Sequence, residues 1–340
     1  MKITLVGYYG FGNFGDELML LTLIHKLKDR VSKLNVVTKG NNYQAFENVS
    51  YIEPDKKSLK RTYKDSDLII WGGGTCFYSN KGFRSLFVNF AYAKLILRKR
   101  FIFFGVGKGK FDNFLDLIRF YFILLLSDDI YYRDKFSIAE TSKLTHKKLK
   151  LTGDLVYAFG FDEINRNKKN LLNNISLNII GDLNNGSLIT FYKKSVEYLL
   201  KKFPNSTVYL LPAQINEKGD LQILKKIKSE VPSNRVNICE PTSPNDVINC
   251  LLKMDFHIGM RLHLNVVSDI LGVPNIGIQY SPKVKYYFDS IEDSKDRLLD
   301  IMEDITYEKI LNVFKNYSRP YKFIELQKQL VEKTFEEILL

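Results

Sequence analysis

Short apolar runs alternate with amphipathic helical patterns along most of the chain, and this alternation limits the fold more than any other feature. The runs are rich in β-branched and aromatic residues. In the first half they read KITLVG, KLNVVTK, SDLIIWGGG, RFIFFGVG, DDIYYRD and KKLKLTGD. Strands that are separated by helices form a parallel sheet covered by helices on both faces. The first half therefore predicts a doubly wound α/β domain.

A polar stretch separates this series from a second one. It reads DEINRNKKNLLNNIS, and its Asn and Lys content is typical of a linker. The second series contains SLNIIGD, STVYLLPA, RVNICEP, DFHIGM and PNIGIQY. We therefore predict two Rossmann-like domains in tandem, over 1–160 and 177–306, with a linker over 161–176 and C-terminal helices over 307–340. Ligands of such folds bind beyond the carboxyl ends of the strands, where a cleft is expected.

The net charge of the chain is +12, from 50 Lys and Arg against 38 Asp and Glu over 340 residues. Such a balance favours acidic partners, which include phosphorylated small molecules, nucleic acids and anionic membranes. The charge is spread along the chain without a dense basic arm or zinc-finger spacing, so nucleic acid is not expected. The three cysteines are far apart, which indicates a reducing compartment. We therefore expect a cytoplasmic protein whose basic surface is compatible with peripheral contact at the inner face of an anionic membrane.

The most lipophilic segment reads FLDLIRFYFILLLS and covers residues 114–127. Arg119 interrupts it, and it is shorter than the ~20 residues that a membrane span needs. The sequence favours a helix buried in the protein over a helix that lies at a membrane interface.

The segment GYYGFGNFGDE follows the first predicted strand, and its Gly10, Gly12 and Gly15 have the spacing of a dinucleotide-binding fingerprint. The second strand ends in VVTKG, without the carboxylate that would hold a ribose. Asp16 and Glu17 occupy the helix terminus that a pyrophosphate would need. We therefore expect a tight strand-to-helix turn with acidic capping residues, and neither a nicotinamide nor a flavin cofactor.

The segment HIGMRLHLNVVSDILGVPNIGIQYSPKV, over 257–284, reads as a strand, a helix, a strand and then Lys283. Arg261 and His263 fall in the first helical turn, at the carboxyl end of the strand. Positive charge there opposes the helix dipole, so stability alone does not require it, but it suits a bound anion. Lys283 follows the next strand and could reach the same cleft. An Arg, a His and a Lys in one pocket can hold a phosphate and a carboxylate together.

Taken together, these segments resemble the polysaccharide pyruvyl transferase family. The resemblance rests on GYYGFGNFGDE, on GGGTCFYSNKGFRS at 72–85, on YYRDKFS at 131–137, on LTGD at 151–154 and on the 257–284 segment. Each glycine motif alone is weak, whereas GMRLH followed by GVP and by Tyr-x-Pro-Lys-Val is specific. The segments occur in the order of the family over residues 3–290.

The resemblance implies a fold similar to the two-domain glycosyltransferase-B type. It also implies an enzyme that moves the pyruvyl group of phosphoenolpyruvate to two hydroxyls of a sugar, which makes a cyclic ketal and releases phosphate. Neither a metal nor a nicotinamide takes part in the reaction of the family. The implied acceptor is a lipid-linked or nucleotide-linked sugar of a cell-surface polysaccharide, such as an exopolysaccharide, or its precursor.

The resemblance assigns roles to site residues as well. His263 is the candidate general acid that protonates the methylene carbon of phosphoenolpyruvate, because histidine has a suitable pKa range. Arg133 and Lys283 match cationic positions that would hold the phosphate and the carboxylate of the donor. The candidates on the acceptor side are Asn13, Asp16, Glu17, Gly73 and Gly74.

Arg261 has two interpretations. It is a further candidate for binding phosphoenolpyruvate, or it braces its loop through Asp154 or Asp134. On the acceptor side, the carboxylates would bind or deprotonate sugar hydroxyls, and the glycines that follow the strand would permit a close approach of the ligand.

The chain departs from the family pattern at two places. GVGKGKF at 105–111 replaces a loop that resembles Gly-Gln-Gly-Ile-Gly-Pro, and CFYSNKG lacks the Gln-Asp pair that is common there. Both departures lie where the acceptor is expected. Two alternatives therefore stay open, a nucleotide-sugar glycosyltransferase of the same two-domain fold and a non-catalytic glycan-binding relative.

Overall fold

The computed structural model describes residues 1–40, 43–161, 170–180, 186–215, 219–292 and 294–340. These residues form two compact units. The first consists of Met1–Phe11, Asp16–Gly160 and Glu325–Leu340, and the second of Gly12–Gly15 and Phe161–Ile324. Each unit is built on a parallel sheet with intervening helices, which confirms the predicted α/β class.

The sheet of the first unit contains every strand that the sequence predicts there. Its strands are β1 (Lys2–Val6), β2 (Lys33–Val37), β3 (Val49–Ile52), β4 (Leu68–Gly72), β5 (Thr75–Phe77), β6 (Arg100–Lys108), β7 (Asp129–Tyr132) and β8 (Lys150–Leu151). The strands are parallel in the order β3-β2-β1-β4-β6-β7-β8, and β5 pairs with β6. The sequence does not predict β3 and β5, which are only four and three residues long.

Helices connect these strands. They are α1 (Phe14–Leu27), α2 (Lys56–Asp65), α3 (Lys81–Ala91), α4 (Phe114–Leu126) and α5 (Lys135–Ser142), with a π-helix over Tyr92–Ile96 after α3 and a 3₁₀ turn over Leu155–Ala158. In α1, consecutive residues from Leu18 to Leu20 are fully buried, as are Leu23 and Ile24. A helix that is apolar around most of its circumference belongs in the interior, so α1 forms a central element of this unit.

The prediction that 114–127 forms a buried helix is wrong for one of its faces. Helix α4 buries Phe120 and Ile123, but Phe114 and Leu125 are 73% and 65% exposed. The reason is that apolar residues occupy both faces of the helix, and only the face that carries Phe120 and Ile123 packs inward. Among the described helices, none combines the length and the apolar character that a membrane span requires.

The second unit repeats the architecture. Its strands are β9 (Asn174–Asn178), β10 (Thr207–Leu210), β11 (Val236–Ile238), β12 (Phe256–Gly259), β13 (Asn275–Gln279) and β14 (Leu298–Asp300). They are parallel in the order β11-β10-β9-β12-β13-β14. The helices are α6 (Gly186–Lys202), α7 (Asp220–Glu230), α8 (Pro244–Lys253), α9 (Leu262–Ile270), α10 (Pro282–Asp289) and α11 (Tyr307–Asn316), with a 3₁₀ turn over Lys295–Arg297. Every residue of the central strand β12 is buried, as expected for a parallel sheet covered on both faces.

The last helix, α12 (Tyr321–Leu339), returns to the first unit. It buries Val331, Phe335 and Ile338, and the Phe335 ring meets the ring of Phe104 at a centroid distance of 4.8 Å. The predicted C-terminal helices over 307–340 therefore divide between the units, because the apolar stripe of α12 completes the core of the first one.

The other predicted boundaries also differ from this division. Of the linker predicted over 161–176, residues 162–169 lie outside the described part of the chain. At its end, Asn174 already opens β9, which pairs with β10 and β12. Gly12–Gly15, predicted within the first domain, belongs to the second unit because its backbone pairs with residues 213–215.

Candidate functional site

In the second unit, a tight turn leads from β12 into α9 and carries Arg261 and His263. Arg261 is the N-terminal capping residue, with extended backbone and no capping bond from its side chain. The buried Asn178, at the end of β9, accepts a hydrogen bond from the Arg261 backbone N–H at 3.0 Å. The buried Asn265 donates to the Gly259 carbonyl at 3.0 Å. Two buried amide side chains therefore fix the backbone of this turn.

The side chain of Arg261 forms an ion pair with Asp220, at the start of α7. Its Nη2 lies 2.8 Å from Oδ1 of Asp220, whose side chain is only 2% exposed. The other carboxylate oxygen accepts the backbone N–H groups of Ala213 and Gln214 at 3.0 Å each. The buried Nε of Arg261 has no hydrogen-bond partner among the described residues. Arg261 thus braces its loop, as one interpretation of the sequence holds, and Asp220 is a residue that sequence reasoning missed.

Of the opening glycine segment, Gly12–Gly15 belong to the same unit as this turn and lie beside it. Asn13 and Gln214 form an antiparallel bridge, and the Phe14 backbone N–H donates to the Ala213 carbonyl at 2.8 Å. The Asn13 side chain accepts a hydrogen bond from the Gly15 N–H at 3.1 Å. Asn13, predicted on the acceptor side, therefore belongs with the 213–215 loop of the second unit.

His263 lies directly against Gly15. A Cβ built on Gly15 would stand 1.7 Å from Nδ1 of His263, far inside any real contact distance. The His263 side chain is half-buried. The third glycine of the apparent dinucleotide fingerprint therefore has another purpose, because it leaves room for an imidazole.

Lys283 lies in the first turn of α10, which follows β13. Its ammonium is 5.5 Å from the ring centre of Tyr280. Since β12 and β13 are parallel neighbours, α9 and α10 begin at the same edge of the sheet. His263, Arg261 and Lys283, which the sequence predicts around the donor, thus share one edge of the second unit.

In the first unit, Arg133 follows β7 and is 8% exposed. Its Nη1 lies 3.2 Å from Asp154, its Nε 3.4 Å from Asp134, and its Nη2 donates to the Thr75 hydroxyl at 3.0 Å. Burial by itself lowers the pKa of the guanidinium, but the two carboxylates outweigh it and raise the pKa. Asp154 and Asp134, which the sequence offers as braces for Arg261, both pair with Arg133 in the first unit, whereas Arg261 pairs with Asp220 in the second. Binding of the donor by Arg133 stays a prediction.

Glu17 is buried and fixes the turn between β1 and α1. Its Oε1 accepts the Gly10 backbone N–H at 2.8 Å, and its Oε2 accepts a short hydrogen bond from the Tyr43 hydroxyl. Burial and the Glu17 carboxylate raise the pKa of Tyr43 well above its ordinary value, so the phenol stays a donor. Gly10 has a φ of 81°, which favours glycine at this position. Glu17 is thus a capping group whose two oxygens are both used.

Asp16 is half-buried and lies against the glycine turn that follows β4. A Cβ on Gly74 would stand 3.3 Å from Oδ1 of Asp16, and a Cβ on Gly73 would stand 2.4 Å from the sulfur of Met19. Both glycines have positive φ, 74° for Gly73 and 78° for Gly74. The structure therefore brings together three of the predicted acceptor-side residues, Asp16, Gly73 and Gly74.

An aromatic pair beside this turn was not assigned from the sequence. The rings of Tyr8 and Phe11 stack at a centroid distance of 4.2 Å, with 10° between their planes, and Tyr8 is 55% exposed. The Lys39 ammonium lies 5.5 Å from the ring centre of Phe11. Burial, followed by the charge of Asp16, raises the pKa of Tyr8. The three aromatic residues within GYYGF, of which Tyr8 and Phe11 form the pair, were the available signal.

The segment that departs from the family pattern, 105–111, comprises the end of β6 and the short loop after it, and it lies beside β5. The Lys108 backbone N–H donates to the Ser137 hydroxyl at 2.8 Å, and the Lys108 ammonium lies 5.7 Å from the ring centre of Phe111. Partial burial lowers the pKa of this ammonium. A Cβ on Gly109 would stand 2.9 Å from Cβ of Tyr78, so the loop packs closely on the segment after β5.

The remaining histidines do not join these groups. His257 is fully buried in β12, where its Nδ1 lies 2.8 Å from the Ser176 hydroxyl, so it is a core residue. Burial lowers the pKa of His257 to about 3. His146 is exposed and His25 packs between Phe46 and Phe159. In the described part of the chain, no group of three or more His, Cys, Asp or Glu side chains could hold a metal ion.

Comparison with known sequences gives a family match. The sequence model of the family described as polysaccharide pyruvyl transferase matches residues 13–282. No curated protein matches the sequence significantly.

Comparison with solved structures gives the fold. The UDP-GlcNAc 2-epimerase of Methanocaldococcus jannaschii superimposes with a TM-score of 0.63 at 10% identity, over 99% of this chain and 100% of that one. MnaA of S. aureus, solved with UDP, gives a TM-score of 0.61 at 12% identity, over 99% and 96%. The UDP-GlcNAc 2-epimerase of Neisseria meningitidis, bound to UDP-GlcNAc, gives a TM-score of 0.58 at 13% identity, over 99% of this chain and 100% of that one. These likenesses confirm a fold similar to the glycosyltransferase-B type.

Proposed function

The chain belongs to the polysaccharide pyruvyl transferase family, and from this membership we propose that it transfers the pyruvyl group of phosphoenolpyruvate to a sugar of a cell-surface polysaccharide or its precursor. Two sugar hydroxyls add to C2 of the donor, and the bond from C2 to the phosphate oxygen breaks. One proton is taken up as the methylene becomes a methyl group, and the other leaves with phosphate. The products are a cyclic ketal and inorganic phosphate.

The observation that carries the proposal is the position of His263 in the first turn of α9, against Gly15. Protonation of the methylene carbon needs an acid that is effective near neutral pH, and histidine is the side chain best suited to that task. The backbone N–H groups of the same turn and the positive end of the helix dipole favour an anionic donor. Asn178 and Asn265 fix the backbone of the turn, so the imidazole of His263 is attached to a rigid part of the chain.

We assign the charged groups of the donor to Arg261 and Lys283. Asp220 holds one side of the Arg261 guanidinium, and the partly exposed side chain keeps a positive charge at this sheet edge for a bound anion. Lys283 contributes a positive charge at the same sheet edge, because a lysine ammonium binds phosphate as a compact point charge. An anion at Arg133 would have to compete with Asp154 and Asp134, so we assign Arg133 the positioning of β5 and β7.

We assign acceptor recognition to the first unit, to Asp16, the Gly73–Gly74 turn and the Tyr8–Phe11 pair. The stacked rings offer an apolar surface for a sugar ring, and Asp16 can accept the proton of an acceptor hydroxyl. Several proteins that share the fold are named for UDP-linked sugars. This supports a nucleotide-linked sugar as the acceptor, and a lipid-linked sugar stays the second candidate.

The test combines donor binding with turnover. Phosphoenolpyruvate is titrated calorimetrically into the purified protein, and phosphate release is followed with a panel of nucleotide-linked and lipid-linked sugars. We expect His263→Ala to lower turnover by about 10²- to 10⁴-fold with unchanged thermal stability. The matched control, His146→Ala, replaces an exposed histidine and should change neither quantity.

Two results would contradict the proposal. One is the absence of donor binding even when acceptors are present. The other is transfer or hydrolysis of a UDP-sugar without any need for phosphoenolpyruvate, which would favour the nucleotide-sugar glycosyltransferase.

A further inference from the structure

The solvent side of α4 carries a continuous stripe of large apolar side chains. Their spacing of 0, 1, 4, 7, 8 and 11 positions places them on one side of a helix. Their exposure ranges from 37% for Ile118 to 73% for Phe114. The stripe consists of Phe114, Leu115, Ile118, Tyr121, Phe122 and Leu125.

The neighbouring helix extends this surface. Helix α3 packs against α4, and Arg84 of α3 lies 3.7 Å from Asp116 of α4. On α3 and the π-helix that follows it, Val88, Leu95 and Ile96 are 65%, 60% and 69% exposed. We call these three residues and the stripe of α4 the apolar face. Soluble proteins seldom expose so many neighbouring large apolar side chains unless the surface binds something.

Basic residues flank the apolar face at both ends of the helix pair. Arg98 and Arg100 are exposed at the end where the π-helix leads into β6, and Lys81 and Lys110 are exposed at the other end. Between residues 81 and 125 there are nine Lys and Arg and two Asp, a net charge of +7 out of the +12 of the chain. One of these aspartates, Asp116, is buried and bonded to Arg119 at 2.5 Å. Because Lys94 pairs with Asp128 at 2.7 Å, the exposed positive charge lies mainly at the two ends of the apolar face.

We propose that the apolar face docks on the anionic surface of a lipid bilayer. A bilayer of acidic lipids offers negative charge for the flanking cations and an apolar layer for the stripe. A second copy of the chain is a poorer occupant, because a symmetric contact would place the same positive charges opposite each other. Helix α4 has 13 residues and is about 20 Å long, shorter than the hydrocarbon core of about 30 Å, so it suits a position parallel to the surface.

The apolar face begins close to the acceptor-side turn of the first unit. The Asp112 backbone N–H, just before α4, donates to the Ser79 hydroxyl at 3.0 Å. Ser79 closely follows β5, whose Thr75 contacts Arg133. If the acceptor is lipid-linked, docking brings the sugar to this edge of the sheet. That consequence rests on the proposed function, whereas docking itself does not.

Vesicle binding tests the inference with the protein alone. The purified chain is sedimented with vesicles of phosphatidylcholine, with and without phosphatidylglycerol, at low and high salt. We expect binding only to the anionic vesicles, with weaker binding at high salt. The triple variant Phe114→Ser, Phe122→Ser, Leu125→Ser should weaken binding at least tenfold, and the pair Arg98→Gln, Arg100→Gln should reduce the preference for anionic lipid.

A matched control replaces exposed apolar residues elsewhere. Tyr321→Ser and Leu326→Ser, on α12, remove side chains that are 63% and 52% exposed and should leave binding unchanged. All variants should melt like the parent protein, and phosphate release with a water-soluble sugar acceptor should be the same. Loss of vesicle binding with intact phosphate release therefore separates docking from the proposed reaction.

The inference is overturned if the parent protein ignores anionic vesicles, or if the triple variant binds them as tightly as the parent. It is also overturned if sedimentation velocity shows a dimer that the triple variant converts to a monomer, since the apolar face would then be covered by a second copy. Fluorescence gives an independent readout. Phe122→Trp should shift its emission to shorter wavelength on addition of vesicles, whereas Leu326→Trp should not.

Discussion

The imidazole of His263 occupies the space that a side chain at position 15 would need. The backbone of Gly15 adopts no left-handed conformation, so the requirement for glycine comes from this contact and not from backbone strain. The opening glycine segment thus serves the histidine that we propose as the acid, although nothing in its own sequence points to position 263.

Gly15→Ala should displace the His263 imidazole, because the new methyl group would stand 1.7 Å from Nδ1. We expect kcat/KM to fall about 10- to 100-fold, since small misplacements of a catalytic group have effects of this size. The control is Gly186→Ala, where nothing lies within 4 Å of an added Cβ. Steady-state kinetics and thermal melting of both variants check this, and unaltered turnover in Gly15→Ala would remove His263 from the mechanism.

Asp16 and Glu17 should respond differently to loss of charge. Both Glu17 oxygens accept hydrogen bonds, and a glutamine can keep one with its oxygen and donate to the Tyr43 oxygen with its amide. We therefore expect Glu17→Gln to keep kcat within about threefold, whereas Asp16→Asn should lower it about 10²-fold if Asp16 is the base. The reverse pattern in phosphate-release assays would assign the base to Glu17.

Arg133→Met should destabilise the protein by about 3–5 kcal/mol, because it leaves the buried carboxylate of Asp154 without its cation. Urea denaturation measures the loss. Adding Asp154→Asn removes the uncompensated charge and should restore part of the lost stability. A stable Arg133→Met variant with weakened phosphoenolpyruvate binding would instead support the role that the family resemblance implies.

His257 should make the protein sensitive to acid. Burial holds its pKa at about 3 in the folded protein, below the value of about 6.5 in the unfolded chain. As the pH falls, the unfolded state binds the proton before the folded state does. The contribution of neutral His257 to the free energy of unfolding is therefore present above pH 6.5 and is lost as the pH falls towards 3. Between pH 7 and pH 5 it amounts to about 2 kcal/mol of unfolding free energy.

The measurement compares denaturation at these two pH values in the parent, in His257→Gln and in the control His146→Ala. The acid sensitivity should shrink in His257→Gln and persist in His146→Ala. Equal sensitivity in all three proteins would show that other groups cause it.

The fold was largely predictable because its strands are coded locally. A run such as SDLIIWGGG identifies a buried parallel strand without any tertiary information. The exposed face of α4 was not predictable, since apolar spacing shows which residues share a face but not whether a partner covers it. The short strands β3 and β5 form through pairing with long neighbours, and a few residues carry little periodicity.

The site was predictable where a motif carries the chemistry and less so where partners come from afar. Arg261, His263 and Lys283 follow adjacent strands, so their common edge could be inferred from sequence order. The partner of Arg261 could not, because Asp220 lies on another helix and only tertiary packing selects it over Asp154 or Asp134. The placement of Asn13 beside the 213–215 loop could not be predicted either, since a backbone bridge between residues far apart in the sequence leaves no local signal.

The return of α12 to the first unit has a consequence for the order in which the chain can fold. During synthesis, residues 1–160 emerge long before Val331 and Phe335, which fill the core beside Phe104. Until the last helix leaves the ribosome, the surface that it covers stays open to solvent and to other nascent chains. Synthesis of α12, and not completion of the first 160 residues, therefore sets the moment at which that unit closes, and a chain truncated before α12 should depend on chaperones to stay in solution.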